Sequence, residues 1–185
     1  MLLNNYGNTC YINTVIQLFL NNAYFMDYIR GKKYPGEYLI DIIKNIDNSA
    51  NLRRFLICLQ EKIGDNMNVH EQNDANEIYI RLIDLFEKED AESVSFFTGI
   101  NRKTYKCLIC RNKREKLEKF VNINLYISPS CNNLQSSLMK NFEKETLDKV
   151  ECEVCNTGTP TEVKSKIIEW PKSLIFLINR YHPDY

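Results

Sequence analysis

The spacing of apolar residues predicts a helical first half of the chain. Over residues 11–20, apolar side chains recur every three or four positions, which predicts a helix capped at its start by Asn8 or Thr9. The same spacing predicts helices at about 50–63 and 74–89. The predicted buried faces comprise, helix by helix, Ile12, Val15, Ile16 and Phe19, then Leu52, Phe55, Leu56, Leu59 and Ile63, then Ala75, Ile78, Tyr79, Leu82, Leu85 and Phe86.

The second half of the chain changes to the alternating pattern of β-strands. After the acidic stretch 87–92, apolar residues of 121–127 alternate with asparagine and tyrosine, which predicts a half-buried strand. TEVKSKIIEW at 161–170 and SLIFLINRY at 173–181 predict two further strands, and a short helix is expected at about 134–142.

These patterns predict an α+β protein with two lobes. The period changes near 92–95, so we expect a helical lobe at 1–94 and a β-rich lobe at 95–185.

Asp74, followed three residues later by Glu77, has the spacing of a capping box at the start of the third predicted helix.

Composition argues against two classes of partner. The 185 residues contain 24 basic and 24 acidic side chains, so the chain has no net charge to attract nucleic acid or an anionic membrane. No apolar run has the length of a bilayer span, and the first residues do not resemble a secretory leader. We therefore expect an intracellular protein of the cytoplasm or nucleus, with no nucleic acid and no membrane as partner.

Four of the seven cysteines form two C-x-x-C pairs, Cys107 with Cys110 and Cys152 with Cys155. Each pair places two thiolates on one turn, and two such turns supply the four sulfur ligands of tetrahedral zinc. Four protein ligands leave no position for an activated water, so the expected zinc is structural. The alternative is four buried free cysteines, which the matched spacing disfavours. An odd cysteine count with this spacing also suits a reducing compartment.

Cys10 stands apart from these pairs, in the segment NNYGNTCYINTVIQ that begins at Asn4. Its expected place in the first turn of a helix favours a thiolate, because unpaired N–H groups and the helix dipole stabilise negative charge there. Gly7 would let the backbone pass close to a substrate. An isolated cysteine is more often a small buried apolar residue. The spacing alone does not decide between these two interpretations.

Five segments, taken in order, resemble the ubiquitin-specific proteases. NNYGNTCYINTVIQLFL at 4–20 is similar to the cysteine box N-L-G-N-T-C-Y-x-N-S-x-L-Q of that family, and EQNDANEIYIRLIDLFEKE at 71–89 resembles its Q-Q-D-A-x-E-F-L helix. The paired C-x-x-C motifs resemble its zinc-bearing fingers, and LEKFVNINLYI and WPKSLIFLINRY resemble the strands around and after them. The departures from the family pattern are Tyr6, Thr14, Ile16, Asn73 and Ile78.

The resemblance implies a papain-like ubiquitin-specific protease fold with a helical thumb, β-rich zinc-bearing fingers and an incomplete palm. It implies a deubiquitinating thiol protease that hydrolyses the bond after the C-terminal glycine of ubiquitin, with ubiquitin or ubiquitinated proteins as partners. Matched residue by residue, Cys10 is the nucleophile, Asn5 stabilises the oxyanion and Asp74 helps hold the ubiquitin tail. Asp74 also has a purely structural interpretation, because a helix N-cap uses the same side chain.

A matching general base is missing from these segments. The family carries its catalytic histidine in a G-H-Y-like box well beyond the strand at 173–181, and the two histidines here, His70 and His182, do not match it. Two interpretations follow: a truncated or split member of the protease family, or a non-catalytic ubiquitin-binding module or pseudo-enzyme. The sequence alone does not decide between them. A zinc ribbon that binds nucleic acid is a third interpretation, which the neutral net charge disfavours.

Overall fold

The structure, a computed structural model, describes residues 3–46, 49–64, 71–126 and 133–179. Its backbone contacts divide the chain into two compact units, Met1–Phe96 and Phe97–Tyr185. The division falls two residues beyond the boundary expected from the sequence, within the turn that follows the last helix of the first unit. Within the described ranges, none of the helices has the length and apolar character needed to cross a membrane.

Helices build the described part of the first unit: α1 (Cys10–Leu20), α2 (Ala23–Arg30), α3 (Leu39–Lys44), α4 (Ser49–Ile63) and α5 (Ala75–Glu89). The bounds of α1, α4 and α5 agree with the three predicted helices to within a residue or two. The apolar spacing did not indicate α2 and α3, because helices of eight and six residues contain too few turns to establish a period.

Three fully buried phenylalanines join α1, α2 and α5. The ring centroids of Phe19 and Phe25 lie 5.2 Å apart, and Phe86 lies 5.2 Å from Phe19 and 5.7 Å from Phe25. Aromatic contacts at these distances add to the free energy of burying the rings. The C-terminal end of α1 is therefore held in the core, while its first residue, Cys10, reaches the surface.

Two acidic residues at the C-terminal end of α5, Glu89 and Asp90, bind groups of α2, of α3 and of the segment between them. Asp90 accepts hydrogen bonds from the hydroxyls of Tyr34 at 2.8 Å and Tyr28 at 3.1 Å, and it pairs with Lys32 at 3.0 Å. Burial raises the pKa of Asp90, but these three donors outweigh it and hold that pKa below its ordinary value. The carboxylate of Glu89 accepts from the first two N–H groups of α3 at 3.0 and 3.1 Å.

The second unit contains β1 (Gly99–Cys107), β2 (Lys113–Phe120), β3 (Ile123–Tyr126), α6 (Leu134–Lys140), β4 (Glu145–Cys152), β5 (Thr157–Glu169) and β6 (Phe176–Asn179). Four strands form an antiparallel sheet in the order β2-β1-β5-β4, and β3 pairs in parallel with β6. The three predicted strands correspond to β3, β5 and β6, although β5 begins four residues earlier than expected. Ile127 of the predicted strand lies outside the described residues.

Alternation did not indicate β1, β2 and β4, because their side chains are mostly polar on both faces. The edge strand β2 reads KREKLEKF and is largely exposed. Charged residues on an edge strand discourage pairing with another chain. They also remove the apolar alternation by which a sequence indicates a strand.

Candidate functional site

Cys10 is the first residue of α1 and its side chain is exposed. The preceding segment turns at Gly7, whose φ of 84° lies in the left-handed region that a residue without Cβ adopts most easily. The first turn of α1 contains no acidic residue, so no carboxylate of that turn would repel a thiolate. The exposed position leaves the thiol accessible to a substrate, and it does not fit the interpretation of Cys10 as a buried core residue.

Thr9, which is fully buried, binds the side chain of Asn5. The backbone N–H and the hydroxyl of Thr9 both donate to Asn5 Oδ1, at 2.9 and 3.0 Å. The same hydroxyl accepts a hydrogen bond from the Tyr6 N–H at 3.0 Å. Thr9 therefore occupies the N-cap position expected from the sequence, but the expected cap by its side chain is wrong, because the hydroxyl binds the preceding loop.

The residues on either side of Asn5 are anchored to helices. The Asn13 amide donates to the Asn4 carbonyl oxygen at 3.1 Å, and the Asn4 amide donates to the hydroxyl of the first residue of α4 at 2.7 Å. The guanidinium of Arg53 lies 4.7 Å from the ring centroid of Tyr6, within cation–π range. The loop that carries Asn5 is thus fixed at both ends relative to α1 and α4.

Asp74 is the N-cap of α5, where its carboxylate accepts from the Asn76 N–H at 2.8 Å. The expected capping box does not form, because the Glu77 carboxylate pairs with Arg81 at 2.6 Å instead. The structural interpretation of Asp74 is therefore confirmed. Its contact with a ubiquitin tail stays a prediction.

A hydrogen bond joins the two helix ends that carry Cys10 and Asp74. The Asn73 amide donates to the Tyr11 hydroxyl at 3.3 Å. The starts of α1 and α5 consequently lie side by side within the first unit. His70 and His182, the two histidines of the chain, lie outside the described residues, so the structure assigns neither of them a position near Cys10.

The four paired cysteines converge at one end of the sheet in the second unit. The turns after β1 and β4 each carry a C-x-x-C motif, and the two hairpins are joined where β1 pairs with β5. All four sulfur atoms lie within 4.8 Å of one another, with 4.0 Å between Cys107 and Cys155 and 3.5 Å between Cys110 and Cys152. This cluster can hold a metal ion.

The two C-x-x-C turns have the same backbone arrangement. In each turn the first sulfur accepts hydrogen bonds from the N–H groups two and three residues later. The residue after each second cysteine, Arg111 or Asn156, has a positive φ of 65° or 51°. Its N–H donates to the carbonyl of the first cysteine at 3.1 or 2.8 Å. The repeated geometry points both pairs of sulfur atoms at one centre.

The charges of the four thiols depend on one another. The Thr159 hydroxyl, 3.3 Å from the Cys107 sulfur, and the Cys110 N–H lower the pKa of Cys107 to about 6. Hydrogen bonding with Cys110 and burial raise the pKa of Cys155 to about 12. Neighbouring thiolates repel one another, so a cation bound among them would favour the ionised form of all four.

Thr9 and Thr159 contact residues of the two candidate sites, and the sequence did not indicate that role for either of them. Both are polar and fully buried, and each holds a residue of a candidate site. Threonine is common in loops and strands alike, so its type alone carries no signal. Only the contacts distinguish these two from the other threonines.

Known proteins match the chain over nearly its whole length. A family model described as ubiquitin carboxyl-terminal hydrolase matches residues 2–185. Ubiquitin carboxyl-terminal hydrolase 25 of Arabidopsis thaliana is 24% identical over 219 residues, covering 97% of this chain and 33% of that protein. Ubiquitin carboxyl-terminal hydrolase 17-like protein D of Mus musculus is 23% identical over 207 residues, covering 97% of this chain and 37% of that protein. The chain thus spans about a third of the length of these relatives.

Solved structures share the fold. The SAGA Ubp8/Sgf11/Sus1/Sgf73 DUB module bound to ubiquitin aldehyde matches with a TM-score of 0.79 and 20% identity, covering 96% of this chain and 46% of that chain. A second structure of that module, bound to monoubiquitin, matches with the same score and identity and covers 47% of that chain. The α+β architecture expected from the resemblance is confirmed.

Proposed function

We propose that this chain, which belongs to the ubiquitin carboxyl-terminal hydrolase family, is a thiol-dependent ubiquitin hydrolase with Cys10 as its nucleophile. The observation that carries the proposal is the exposed thiol at the first residue of α1, behind the turn at Gly7. In the proposed reaction, the Cys10 sulfur attacks the carbonyl carbon of the C-terminal glycine of ubiquitin and the amine leaves. Water then cleaves the thioester and releases ubiquitin.

Asn5 is proposed to stabilise the oxyanion of this reaction. Its Oδ1 accepts both hydrogen bonds from Thr9. The NH₂ group, which is the only donor of this side chain, is therefore on the other side of the amide and can donate to a substrate oxygen. Removing one such donor lowers the rate by a factor of about 10²–10³ in related acyl-transfer enzymes. Asp74, at the adjacent start of α5, is proposed to contact the ubiquitin tail in addition to capping its helix.

Ubiquitin and ubiquitinated proteins are the proposed partners. Two structures with this fold are described as bound to ubiquitin aldehyde and to monoubiquitin, which supports ubiquitin as the ligand. The equal numbers of acidic and basic residues argue against nucleic acid or a membrane surface.

Zinc is the metal proposed for the four-cysteine cluster. Ideal tetrahedral coordination with Zn–S distances of about 2.3 Å places the sulfur atoms about 3.8 Å apart. Two of the sulfur pairs in the structure, at 3.5 and 4.0 Å, lie on either side of that value. Cys107, Cys110, Cys152 and Cys155 would hold the ion, and four sulfur ligands leave no position for a reacting water. The proposed role is structural, joining the ends of the two hairpins.

Ubiquitin binding without turnover is the second candidate. Amide cleavage requires a general acid to protonate the departing nitrogen. Neither of the two histidines of the chain matches the family's catalytic position. Such a chain would bind ubiquitin and could react once at Cys10 with an electrophile, but it would not hydrolyse ubiquitin amides catalytically.

We propose a reducing compartment, the cytoplasm or the nucleus, as the place where the protein works. Free thiols are required both for the nucleophile and for the cluster, and the described cysteines are free. Imaging of a fluorescent fusion tests this proposal, and secretion of the fusion would contradict it.

Capture by ubiquitin with an electrophile at its C-terminus tests the hydrolase proposal. Wild-type protein should form one covalent adduct at Cys10, and Cys10→Ala should form none. Cys58→Ala, which removes the half-buried thiol of α4, should react like the wild type. If the wild type is not captured although iodoacetamide alkylates Cys10, the hydrolase proposal is wrong. Saturable binding of labelled ubiquitin to that same preparation would then favour the second candidate.

A further inference from the structure

The orientation of the Asn5 side chain is determined by the residue that precedes the nucleophile. Asn5 Oδ1 accepts two hydrogen bonds from Thr9, one from the backbone N–H at 2.9 Å and one from the hydroxyl at 3.0 Å. A backbone N–H can only donate. If the amide were flipped, its NH₂ group would face the Thr9 N–H and two donors would oppose each other. Thr9 therefore admits only one of the two orientations of this amide.

The Thr9 hydroxyl acts both as a hydrogen-bond donor and as an acceptor. It donates to Asn5 Oδ1 and accepts from the Tyr6 N–H at 3.0 Å. Because the Tyr6 N–H can only donate, the hydroxyl proton of Thr9 is left to donate to Asn5. Thr9 itself is completely buried, which restricts its rotation and keeps its hydroxyl from water, whereas Asn5 lies at the surface. The anchored neighbours of Asn5, Asn4 and Tyr6, leave the loop little freedom to compensate for a lost bond.

We propose that Thr9 is a positioning residue for the oxyanion site, which holds the Asn5 amide so that its nitrogen faces a substrate oxygen next to Cys10. The inference rests on the proposed function and adds to it the residue that sets the direction of the donor. Thr9 itself does not touch the substrate. Its effect should be confined to steps that place negative charge on a carbonyl oxygen, because the Asn5 amide acts there.

Ubiquitin aldehyde isolates such a step. The Cys10 thiolate adds to the aldehyde carbon, the C–S bond forms, and the π electron pair of the carbonyl moves to oxygen, where the resulting oxyanion can accept a hydrogen bond from the Asn5 amide. No leaving group departs, so the step requires no acid for an amine. Iodoacetamide is the complementary reagent: its reaction with Cys10 forms a C–S bond and expels iodide without charging a carbonyl oxygen.

Three variants separate orientation from folding. Thr9→Val keeps the volume and branching of the buried side chain but removes the hydroxyl, whereas Thr9→Ser keeps the hydroxyl and removes a methyl group. Thr14→Val is the matched control, since it removes a hydroxyl of the same chemistry that donates to the Cys10 carbonyl oxygen at 2.9 Å rather than to Asn5. Melting temperatures report the folding of each variant, and peptide mass spectrometry reports iodoacetamide alkylation at Cys10 alone.

Thr9→Val keeps the backbone N–H bond to Asn5 Oδ1 but removes the hydroxyl bond, so the amide is held by one bond instead of two. It should weaken binding of ubiquitin aldehyde about tenfold, the equivalent of about one lost hydrogen bond, while Thr9→Ser and Thr14→Val stay within about twofold of wild type. Alkylation of Cys10 by iodoacetamide should be unchanged in all three. Wild-type binding of the aldehyde without an effect of Thr9→Val would overturn the inference and leave the proposed function intact. An equal loss in Thr9→Ser, or slower alkylation in Thr9→Val, would also overturn it, because the role would then be structural.

A second measurement does not depend on ubiquitin. In isotope-labelled wild-type protein, a scalar coupling across the hydrogen bond should connect the Thr9 nitrogen with Asn5 Cγ. Absence of this coupling in folded protein would overturn the inference even if the aldehyde binds. Failure of the aldehyde to bind while the coupling is present would instead contradict the proposed function and, with it, the oxyanion role assigned to Asn5.

Discussion

The side-chain amide of Asn73 donates to the hydroxyl of Tyr11, with 3.3 Å between nitrogen and oxygen. Tyr11 follows the candidate nucleophile directly, and Asn73 precedes the cap of α5, so the contact joins segments 62 residues apart in the sequence. It brings the start of α5 beside the start of α1. A substitution at either helix start can therefore affect the candidate site through this contact.

Asp74 variants should separate its cap from its proposed contact with ubiquitin. Asp74→Ala removes the bond to the Asn76 N–H and should lower the free energy of unfolding by about 1 kcal/mol, whereas Asp74→Asn retains a good N-cap and should change it little. Both variants lose the charge and should bind ubiquitin more weakly. Denaturation and titration with labelled ubiquitin measure the two effects. If Asp74→Asn binds ubiquitin as tightly as the wild type, the carboxylate charge does not contact ubiquitin and Asp74 acts only as the N-cap of α5.

Turnover should be much slower than capture. Reaction with an electrophile needs only the Cys10 thiolate, whereas general acid–base assistance of amide cleavage contributes a factor of about 10²–10⁴. We expect poor hydrolysis of ubiquitin amides by the 185-residue chain, and little change in His70→Ala or His182→Ala. Steady-state assays of the three proteins check this. Efficient hydrolysis that collapses in either variant would identify the general base as that histidine.

Removal of one cluster sulfur should remove the metal. We expect one zinc per chain in the wild type, and Cys107→Ser should lose most of it and unfold its unit at lower denaturant concentration, because the bound ion stabilises only the folded state. Cys58→Ser, outside the cluster, is the control and should retain the metal. Elemental analysis decides the matter, and an unchanged zinc content in Cys107→Ser would contradict the site.

Thr159 should tune the affinity of that site. Its hydroxyl lies 3.3 Å from the Cys107 sulfur, and loss of a partner of a metal ligand typically lowers metal affinity about 10–100-fold. We expect this loss in Thr159→Val and a smaller one in Thr159→Ser, which keeps the hydroxyl. Competition with a calibrated chelator measures both affinities. Equal affinity in Thr159→Val and wild type would show that the hydroxyl contributes nothing.

Asp90 should stabilise the first unit only while it is ionised. Its pKa in the folded protein is held below the ordinary value of 3.8, so its contribution is present at neutral pH and is lost as the pH falls through the folded pKa. Asp90→Asn should lower the free energy of unfolding by about 1–3 kcal/mol at neutral pH, and by progressively less below about pH 4. Denaturation at several pH values checks this. A difference that does not depend on pH would contradict the role of the charge.

Local patterns in the sequence indicated those features that depend on neighbouring residues. The start of α1 at Cys10 follows from helical spacing after Gly7, and the N-cap at Asp74 follows from residue type. The candidate metal-ligating set follows from two C-x-x-C turns, because each turn orients its own pair of sulfur atoms. The short helices α2 and α3 and the polar strands β1, β2 and β4 were missed, since they carry too few apolar positions to establish a period.

The sequence by itself determined where the helices with long apolar stripes lie, which cysteine begins α1 and which four cysteines form a set. Only the tertiary structure decided that the Thr9 N–H and hydroxyl donate to Asn5 Oδ1, that the Asn73 amide donates to the Tyr11 hydroxyl, and that Ile123 lies opposite Phe176 in parallel strands. Helical period and turn chemistry act over a few residues and can be read along the chain. Strand pairing and buried hydrogen bonds join distant segments, and their geometry depends on how the whole unit packs.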